Sequence, residues 1–238
     1  MRLDLALVER GLARSRTHAA RLIADGHVRL NDATVTRASQ AVSADDRLEA
    51  DVERWVSRAA HKLLGALDDS GVHVPARVLD AGASTGGFTQ VCLDRGASTV
   101  FAVDVGHGQL VDELRNDPRV VVAEGRNVRD LTLDDVGGEP VGLVVGDLSF
   151  ISLTLVLPAL LGVLSDDGEA LLLVKPQFEV GRDRLGAGGV VRDPALRDAA
   201  VDGVVAAAAA LGWAAAWRGP SRLPGTCGNV EFFVRLTR

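Results

Sequence analysis

The first fifty residues combine two helical patterns with three short strand-like patterns. Apolar residues at helical spacing predict one helix over residues 3–12 and a second over residues 16–25. Gly11 and Gly26 stand where helices commonly end, and Ser15 suits the start of the second helix. This order predicts a small α+β unit over residues 1–52. Its predicted strands are residues 27–30, 33–35 and 47–50, with a turn at Asn31 and Asp32.

In the remainder of the chain, short apolar runs alternate with helical patterns. Short apolar strands separated by helices are typical of a parallel sheet that is covered on both faces. Residues 58–238 are therefore predicted to form an α/β domain with a seven-stranded, mostly parallel sheet, and residues 53–57 are interpreted as a linker. The predicted strands are residues 77–81, 99–103, 120–123, 142–145, 170–174, 213–217 and 230–236. The predicted helices are residues 57–70, 87–94, 151–164 and 194–211.

Composition narrows the class of protein only a little. The chain is 47% hydrophobic and 24% charged, which is ordinary for a globular protein. No apolar run approaches the roughly 20 residues that span a bilayer. The amino-terminal residues do not resemble a signal peptide, so we expect a cytoplasmic protein. Cys92 and Cys227 are far apart and fit neither a disulfide framework nor a zinc site, so no metal is predicted.

The charges are unevenly distributed along the chain. Taken over the whole chain, the net charge of −6 argues against a nucleic-acid partner. Residues 1–37, however, contain seven arginines and only four acidic residues, so this part is basic and the rest is acidic. A basic module on an acidic body is compatible with an RNA enzyme, because only the contact face has to match phosphate.

Lysine is nearly absent from this sequence. There are 24 arginines and two lysines, Lys62 and Lys175. A lysine that survives such a bias can mark a place where arginine does not substitute. Lysine can lose its proton when it is buried, and its ammonium is a compact charge, whereas arginine offers neither property. Both lysines are therefore candidate functional residues, with chance survival on the surface as the alternative.

A glycine-containing segment joins the first strand of the larger domain to the following helix. Asp80 precedes Gly82, and Gly86 and Gly87 lead into the helix. Glycines here let the backbone approach a ligand closely, and Asp104, at the end of the next strand, can accept from ribose hydroxyls. The G-x-G-x-x-G pattern of dinucleotide-binding loops is absent, and a carboxylate at this point suits a cationic ligand. These features favour S-adenosylmethionine over NAD.

A second group of polar residues follows later strands. Asp147 comes after the strand at residues 142–145 and Lys175 ends the next strand, so both should lie at the sheet edge that carries the glycine-containing segment. A lysine near a ribose 2′-hydroxyl can orient it and help to remove its proton during methyl transfer. Lys62, in the preceding helix, and Glu231, in the last strand, complete the candidate catalytic set. A structural ion pair between Asp147 and Lys175 is the alternative.

With these motifs, the sequence resembles the TlyA (hemolysin A) family of ribosomal RNA 2′-O-methyltransferases over nearly its whole length. The body is similar to the Rossmann-like FtsJ/RrmJ methyltransferase fold, whose Lys-Asp-Lys-Glu tetrad matches Lys62, Asp147, Lys175 and Glu231. The resemblance implies that Lys175 activates the 2′-hydroxyl and that Asp147 has a positioning role. It also implies that Lys62 and Glu231 support the substrate or the catalytic lysine. Residues 1–52 are similar to an S4 RNA-binding domain, through Arg2-Leu3-Asp4, Gly11-Leu12, Ser15-Arg16 and Gly26-His27-Val28.

The resemblance also implies which residues contact the cofactor and the RNA. Phe150 and Phe178 could stack a flipped base, although core packing is the expected role of each. For the arginines below, a solvated helix face is the alternative to phosphate binding. The expected contacts of S-adenosylmethionine are Asp80, Gly82, Ser84, Thr85, Gly86, Gly87, Phe88, Asp104, Asn127 and Asp147. The expected RNA contacts are Arg2, Arg14, Ser15, Arg16, Arg21 and Arg29.

The implied substrate is a cytidine ribose in ribosomal RNA. The sequence ends just after its last predicted strand and resembles the shorter family members, so 23S RNA in the 50S subunit is expected over 16S RNA. Two alternatives stay open: a membrane-active hemolysin, as the family name suggests, and an S4-type ribosome-binding factor without catalysis. Dye release from liposomes would indicate the first, and loss of S-adenosylmethionine binding would indicate the second.

Overall fold

The computed structural model of the protein describes residues 1–13, 15–51 and 54–238. The chain forms two compact units, Met1–Arg54 and Trp55–Arg238. The domain limits given above, with a linker at residues 53–57, stay a prediction, since Glu53 lies outside the described residues. Within the described ranges, no helix is long and apolar enough to cross a membrane.

The smaller unit consists of two helices followed by a three-stranded antiparallel sheet with the order β2-β1-β3. Leu3 and Leu7 of the first helix and Ala19 and Ile23 of the second are fully buried in its core. The first helix is shorter than predicted, because the chain turns at Gly11, where φ is +70°. The elements are α1 (Leu3–Glu9), α2 (Arg16–Ala24), β1 (Val28–Leu30), β2 (Ala33–Thr34) and β3 (Leu48–Ala50).

The larger unit is built on a seven-stranded sheet with the order β6-β5-β4-β7-β8-β10-β9. Strand β10 is antiparallel to both of its neighbours and the other pairs are parallel, so the predicted mostly parallel sheet is confirmed. The strands are β4 (Arg77–Ala81), β5 (Thr99–Asp104), β6 (Val120–Glu124), β7 (Val141–Gly146), β8 (Leu164–Val174), β9 (Ala214–Pro220) and β10 (Phe232–Thr237).

Helices cover both faces of this sheet, as the apolar strands predicted. Successive residues of a strand point to opposite faces. In β4, Val78 accordingly packs into a core shared with α3 and α4, and Leu79 packs into a second core shared with α6 and α8. The helices are α3 (Ala59–Ser70), α4 (Gly87–Asp94), α5 (Asp112–Arg115), α6 (Leu157–Gly162), α7 (Pro176–Glu179) and α8 (Pro194–Ala210).

The predicted helix over residues 151–164 is confirmed only in part, since the α-helix there spans Leu157–Gly162. The chain forms a 3₁₀ turn at Leu153–Leu155, then the short helix α6, and it is already extended at Leu164, where β8 begins. Pro158 lies in the first turn of α6, where its missing N–H costs nothing. A continuous apolar run has no periodicity that separates a short buried helix from the buried turn and strand beside it.

The topology creates one crevice at a sheet edge. From β4 the chain adds β5 and β6 on one side of the sheet, and β7 and β8 lie on the other side. In open α/β sheets, ligands bind beyond the carboxyl ends of the strands at such a reversal of strand order. The loops after β4 and β7 flank this point.

Candidate active site

The segment after β4 passes close to the segment after β7. Gly82 has φ +84°, and a Cβ atom there would lie 3.0 Å from the Leu148 side chain and 3.2 Å from the Asp147 carbonyl oxygen. Glycine therefore satisfies both the left-handed backbone and the close approach. The main chain of Asp147 also donates a hydrogen bond to the Ala81 carbonyl at 3.2 Å. Together these contacts join the two loops, which form one wall of the candidate site.

Asp80 is a fully buried carboxyl at the base of this wall. Thr89 donates a hydrogen bond to Asp80 Oδ2 at 2.6 Å, whereas Oδ1 has no hydrogen-bond partner among the described residues. Burial, with smaller contributions from the negative charges of Asp147 and Asp104, raises the pKa of Asp80 to about 7. Asp80 therefore lies within electrostatic reach of two other carboxyl groups, an arrangement that favours a positively charged ligand.

The Asp104 carboxylate is held by backbone amides. It accepts hydrogen bonds from the N–H groups of Ser84, at 2.8 Å, and Gly106, at 2.7 Å. Asp104 is half-buried at the end of β5, so its remaining lone pairs can accept from a ligand hydroxyl. Asn127, in contrast, is exposed and uses its side-chain oxygen to cap a 3₁₀ turn by accepting from the Arg129 N–H at 3.1 Å.

Lys175 lies at the carboxyl end of β8 and has an ion-pair partner and a hydrogen-bond acceptor. Its Nζ atom is 2.6 Å from Asp147 Oδ1 and donates to Ser149 Oγ at 2.7 Å. The Lys175 side chain is only 10% exposed. An ammonium has three N–H groups, so donors remain for a ligand beside the one that Ser149 accepts.

Lys62 forms a second, more buried pair with Glu231. Lys62 Nζ donates to Glu231 Oε2 at 2.6 Å, and the two side chains are 6% and 2% exposed. The pair joins α3 to the residue just before β10, across 169 positions of sequence. Gly225 leaves room for this carboxylate, because a Cβ atom there would collide with Glu231.

One cleft of 540 Å³ brings most of these residues together. All four candidate catalytic residues line it. Of the predicted set, the cleft is lined by Lys62, Gly82, Ser84, Thr85, Gly87, Phe88, Asp147, Lys175 and Glu231. Outside the lining are Asp80, which lies beneath it, and Gly86, Asp104 and Asn127.

Several cleft residues were not predicted from the sequence. Ser149 could have been found, because it lies two residues after Asp147 in the same segment. Asn229 gives no such signal, since nothing in its neighbourhood indicates that its side chain is buried. The unpredicted lining residues include Ser57, Arg58, Ser149, Gln177, Gly188, Gly189, Thr226, Cys227 and Asn229.

The expectation that Phe150 packs in the core is wrong. Phe150 is 92% exposed and has φ +65°, a rare backbone conformation for a bulky residue. It lies in a bend beyond the end of β7. Its ring centroid is 5.3 Å from that of the half-buried Phe178, with the planes tilted by 50°, and both residues line the cleft.

In the smaller unit, two of the predicted RNA-contacting arginines share one buried carboxylate. Arg2 donates to Asp4 through two nitrogens, at 2.9 and 3.2 Å, and Arg16 donates to it at 3.1 Å. The hydrogen bonds from Arg2, with those from Arg16, lower the pKa of Asp4 to about 2. The Arg2 and Arg16 side chains remain 51% and 63% exposed, so both keep donors for an outside partner.

The other predicted RNA contacts are dispersed. Arg21 is 3.9 Å from Asp25 on the same helix, and Arg29 is exposed on β1. Ser15 caps α2, as predicted, by accepting from the His18 N–H at 3.2 Å. Arg14 lies outside the described residues.

Comparison with known families gives two matches that together cover almost the whole chain. Residues 55–238 match the model of FtsJ-like methyltransferases, and residues 1–48 match the S4 domain. The 16S/23S rRNA (cytidine-2′-O)-methyltransferase TlyA of Mycobacterium tuberculosis is 55% identical over 99% of this chain and 89% of its own length.

Two further proteins extend the comparison. The 23S rRNA (cytidine-2′-O)-methyltransferase TlyA of Campylobacter jejuni is 37% identical over 76% of this chain and 70% of its own. A solved structure of a hemolysin candidate from Streptococcus thermophilus has a TM-score of 0.76 and 37% identity, covering 99% of this chain and 87% of that one.

Proposed function

Because this chain belongs to the FtsJ-like methyltransferases and to the TlyA family within them, we propose that it methylates a cytidine 2′-hydroxyl of ribosomal RNA with S-adenosylmethionine. One observation carries the proposal. Lys175, supported by Asp147 and Ser149, lines the same cleft as the glycine-containing segment after β4. A group that can activate a hydroxyl is thereby combined with a place for the methyl donor.

The residues present fit S-adenosylmethionine. Asp80 has a buried oxygen without a partner among the described residues, and the charges of Asp104 and Asp147 oppose its ionisation. A ligand that carries a sulfonium and an ammonium relieves that repulsion. Asp104 would accept from the ribose of the cofactor, and Gly82, Ser84 and Thr85 would border it. When bound, S-adenosylmethionine supplies an electrophilic methyl group.

Lys175 would orient the target ribose. One of its N–H groups donates to Ser149, and Asp147 pairs with its charge, so donors remain for the 2′-oxygen. The 2′-oxygen would displace the sulfur from the methyl group, so that the oxygen–carbon bond forms as the sulfur–carbon bond breaks. The hydroxyl proton would pass to Lys175 once this lysine has released one of its own protons, and Asp147 would hold the charge that results. Holding the hydroxyl in line with the methyl group and assisting loss of its proton are both substantial contributions to rate.

Lys62 and Glu231 would form the opposite part of the site. Their mutual bond uses one N–H group of Lys62, so further donors are available to a phosphate or hydroxyl of the target nucleotide. The exposed ring of Phe150, next to Phe178, would stack on the target base after it leaves its helix. In the smaller unit, Arg2 and Arg16 would bind RNA phosphate.

For the substrate, we favour 23S RNA in the 50S subunit. The names of the two TlyA relatives share 23S RNA, and one of them adds 16S RNA. Such a substrate would put the protein in the cytoplasm.

The test is transfer of labelled methyl groups from S-adenosylmethionine to purified unmethylated 50S and 30S subunits. We expect label in 23S RNA at a 2′-hydroxyl, mapped by resistance of one phosphodiester to alkaline hydrolysis, and no label with Lys175→Ala. The 30S reaction decides whether 16S RNA is also a substrate.

Two controls separate the alternatives. Calorimetry should detect S-adenosylmethionine binding to both the wild type and Lys175→Ala, because that lysine acts on the RNA side. A protein that binds no cofactor would instead be a ribosome-binding factor without catalysis. Release of dye from liposomes by purified protein, without methyl transfer, would support a hemolysin.

A further inference from the structure

Asn229 is a buried polar residue that the proposed reaction does not use. It is 3% exposed, lies two residues before Glu231, and lines the cleft. Buried amides are retained where all their hydrogen-bonding groups find partners, because an unpaired buried group is costly. The partners of Asn229 therefore indicate what it holds.

The Asn229 side chain binds one segment on two sides. Its Oδ1 accepts from the Val191 N–H at 2.9 Å, and its Nδ2 donates to the Gly189 carbonyl at 3.0 Å. Its own carbonyl accepts from the Gly225 N–H at 2.9 Å. Asn229 thus ties the segment at residues 186–191 to the loop that carries Glu231.

Within the tethered segment, Val191 is buried, whereas the two glycines that face the cleft have no side chain to anchor them. Gly188 and Gly189 both line the cleft, and both have left-handed φ angles, +75° and +73°. Residues without side chains cannot pack into a core, so hydrogen bonds determine where such a backbone lies. A second anchor is Arg197, whose Nε donates to the Val191 carbonyl at 2.8 Å, but Arg197 does not line the cleft.

We propose that Asn229 is a positioning residue, whose amide sets the distance between the Gly188–Gly189 wall of the cleft and the Lys62–Glu231 pair. The inference rests on the proposed function, since that wall would border the target nucleotide. Asn229 acts through the Gly189 backbone and itself transfers no proton. Small displacements of groups that position a substrate cost large factors in rate, up to about 100-fold for 1 Å.

The test compares three variants in the full-length protein. Asn229→Ala removes both side-chain bonds. Asn229→Asp keeps an acceptor for Val191 but puts a carboxylate oxygen against the Gly189 carbonyl, so it removes only the cleft-side bond. Arg197→Ala removes the other anchor of the same segment and serves as the matched control. For each variant we measure kcat and KM for the ribosomal subunit, the Kd of S-adenosylmethionine, thermal stability, and amide hydrogen exchange of residues 186–191.

We expect kcat/KM to fall about tenfold or more in both Asn229 variants and less than threefold in Arg197→Ala. Exchange of the 186–191 amides should accelerate in the Asn229 variants, and the cofactor Kd should change by less than twofold. A merely structural role would lower activity and thermal stability in parallel in all three proteins, and this result would overturn the proposal. Full activity of Asn229→Asp would also overturn it.

The wild-type reaction separates this inference from the proposed function. A wild-type protein that methylates no RNA contradicts the proposed function. Hydrogen exchange would still decide whether Asn229 holds the segment, because it requires no substrate.

Discussion

The two lysine–carboxylate pairs of the cleft have the same contact distance but different surroundings. In each pair the nitrogen and oxygen are 2.6 Å apart. Lys62 and Glu231 are 6% and 2% exposed, whereas Lys175 and Asp147 are 10% and 16% exposed, and Lys175 also donates to Ser149. Breaking a buried pair leaves an uncompensated charge, whereas a more accessible pair can exchange partners with a substrate. We infer that the first pair chiefly holds the site together and the second chiefly reacts.

The largest expected effect is the loss of activity on changing Lys175. Lys175→Met removes the donor to the target hydroxyl and should lower the single-turnover rate of methyl transfer about 10³- to 10⁴-fold. Lys175→Arg should be nearly as inactive, because arginine keeps the charge but cannot lose a proton. Cofactor binding measured by calorimetry is the control. A rate within tenfold of the wild type in either variant would assign the reaction to another group.

The next effect concerns stability and belongs to the other pair. Lys62→Met leaves Glu231 buried without its cation and should lower the free energy of unfolding by about 3–5 kcal/mol, measured with urea. The double variant Lys62→Met/Glu231→Leu should regain most of this loss without regaining activity. Lys175→Met should cost less stability than Lys62→Met. Equal losses in the two single variants would contradict the division of roles.

Asp80 can be compared with the two pairs, because it is a buried carboxyl group that has no lysine partner among the described residues. Its pKa is raised from 3.8 to about 7, mainly by burial, so the folded state retains a proton that the unfolded state releases between about pH 4 and pH 7. This group therefore makes the free energy of unfolding fall as the pH rises through that window, by on the order of a few kcal/mol, and its effect is level above it.

Asp80→Asn should remove that pH dependence. Relative to the wild type, the variant should be more stable at pH 8 than at pH 4.5 in urea unfolding, and it should bind the cationic cofactor more weakly. A stability difference that is the same at both pH values would show that Asp80 is not the titrating group.

Gly225 provides an indirect way to disturb the buried pair. A methyl group there collides with the Glu231 carboxylate, so Gly225→Ala should lower kcat by about tenfold while the pair remains present. Gly203→Ala is the matched control, because a Cβ at that helical position meets nothing within 4 Å. The control should keep full activity and gain about 0.5–1 kcal/mol of stability. Equal kcat values for the two variants would contradict the steric argument.

The smallest expected effect is on the accessory acceptor of Lys175. Ser149→Ala removes one hydrogen bond and should lower kcat about two- to tenfold, in line with the net value of a single hydrogen bond. Ser98→Ala, which removes a hydroxyl bond to the Ala76 carbonyl away from the cleft, is the control. If both variants match the wild type, Ser149 contributes nothing to aligning Lys175.

The sequence predicted the parts of the site that depend on strand order. Asp147 and Lys175 follow neighbouring parallel strands, and such strand ends meet at one edge by geometry alone. Lys62 could be identified as a candidate site residue because lysine is so rare in this sequence. The match to the family motif then added Glu231. The alternation of short strands and helices likewise predicted the sheet of the larger unit.

The features that could not be predicted from the sequence depend on contacts between residues that are distant along the chain. The apolar residues 151–164 are all compatible with burial, and only the pairing of Leu164 with Val141 makes the last of them a strand. Phe150 has the composition of a core residue, yet its backbone conformation leaves it exposed. Asn229 became identifiable only when the 186–191 segment was seen beside it, because its partners lie about 40 positions away.

The link between Lys62 and Glu231 has a consequence for the order of biosynthesis. A ribosome adds residues from the amino terminus at roughly 5–20 per second, so Lys62 is made some 169 residues before its partner. During that interval Lys62 lacks its counter-ion, and the catalytic site is incomplete. Catalytic competence therefore arrives with the last strand, and a nascent chain that still lacks Glu231 would emerge without methylating the RNA of the particle that is making it.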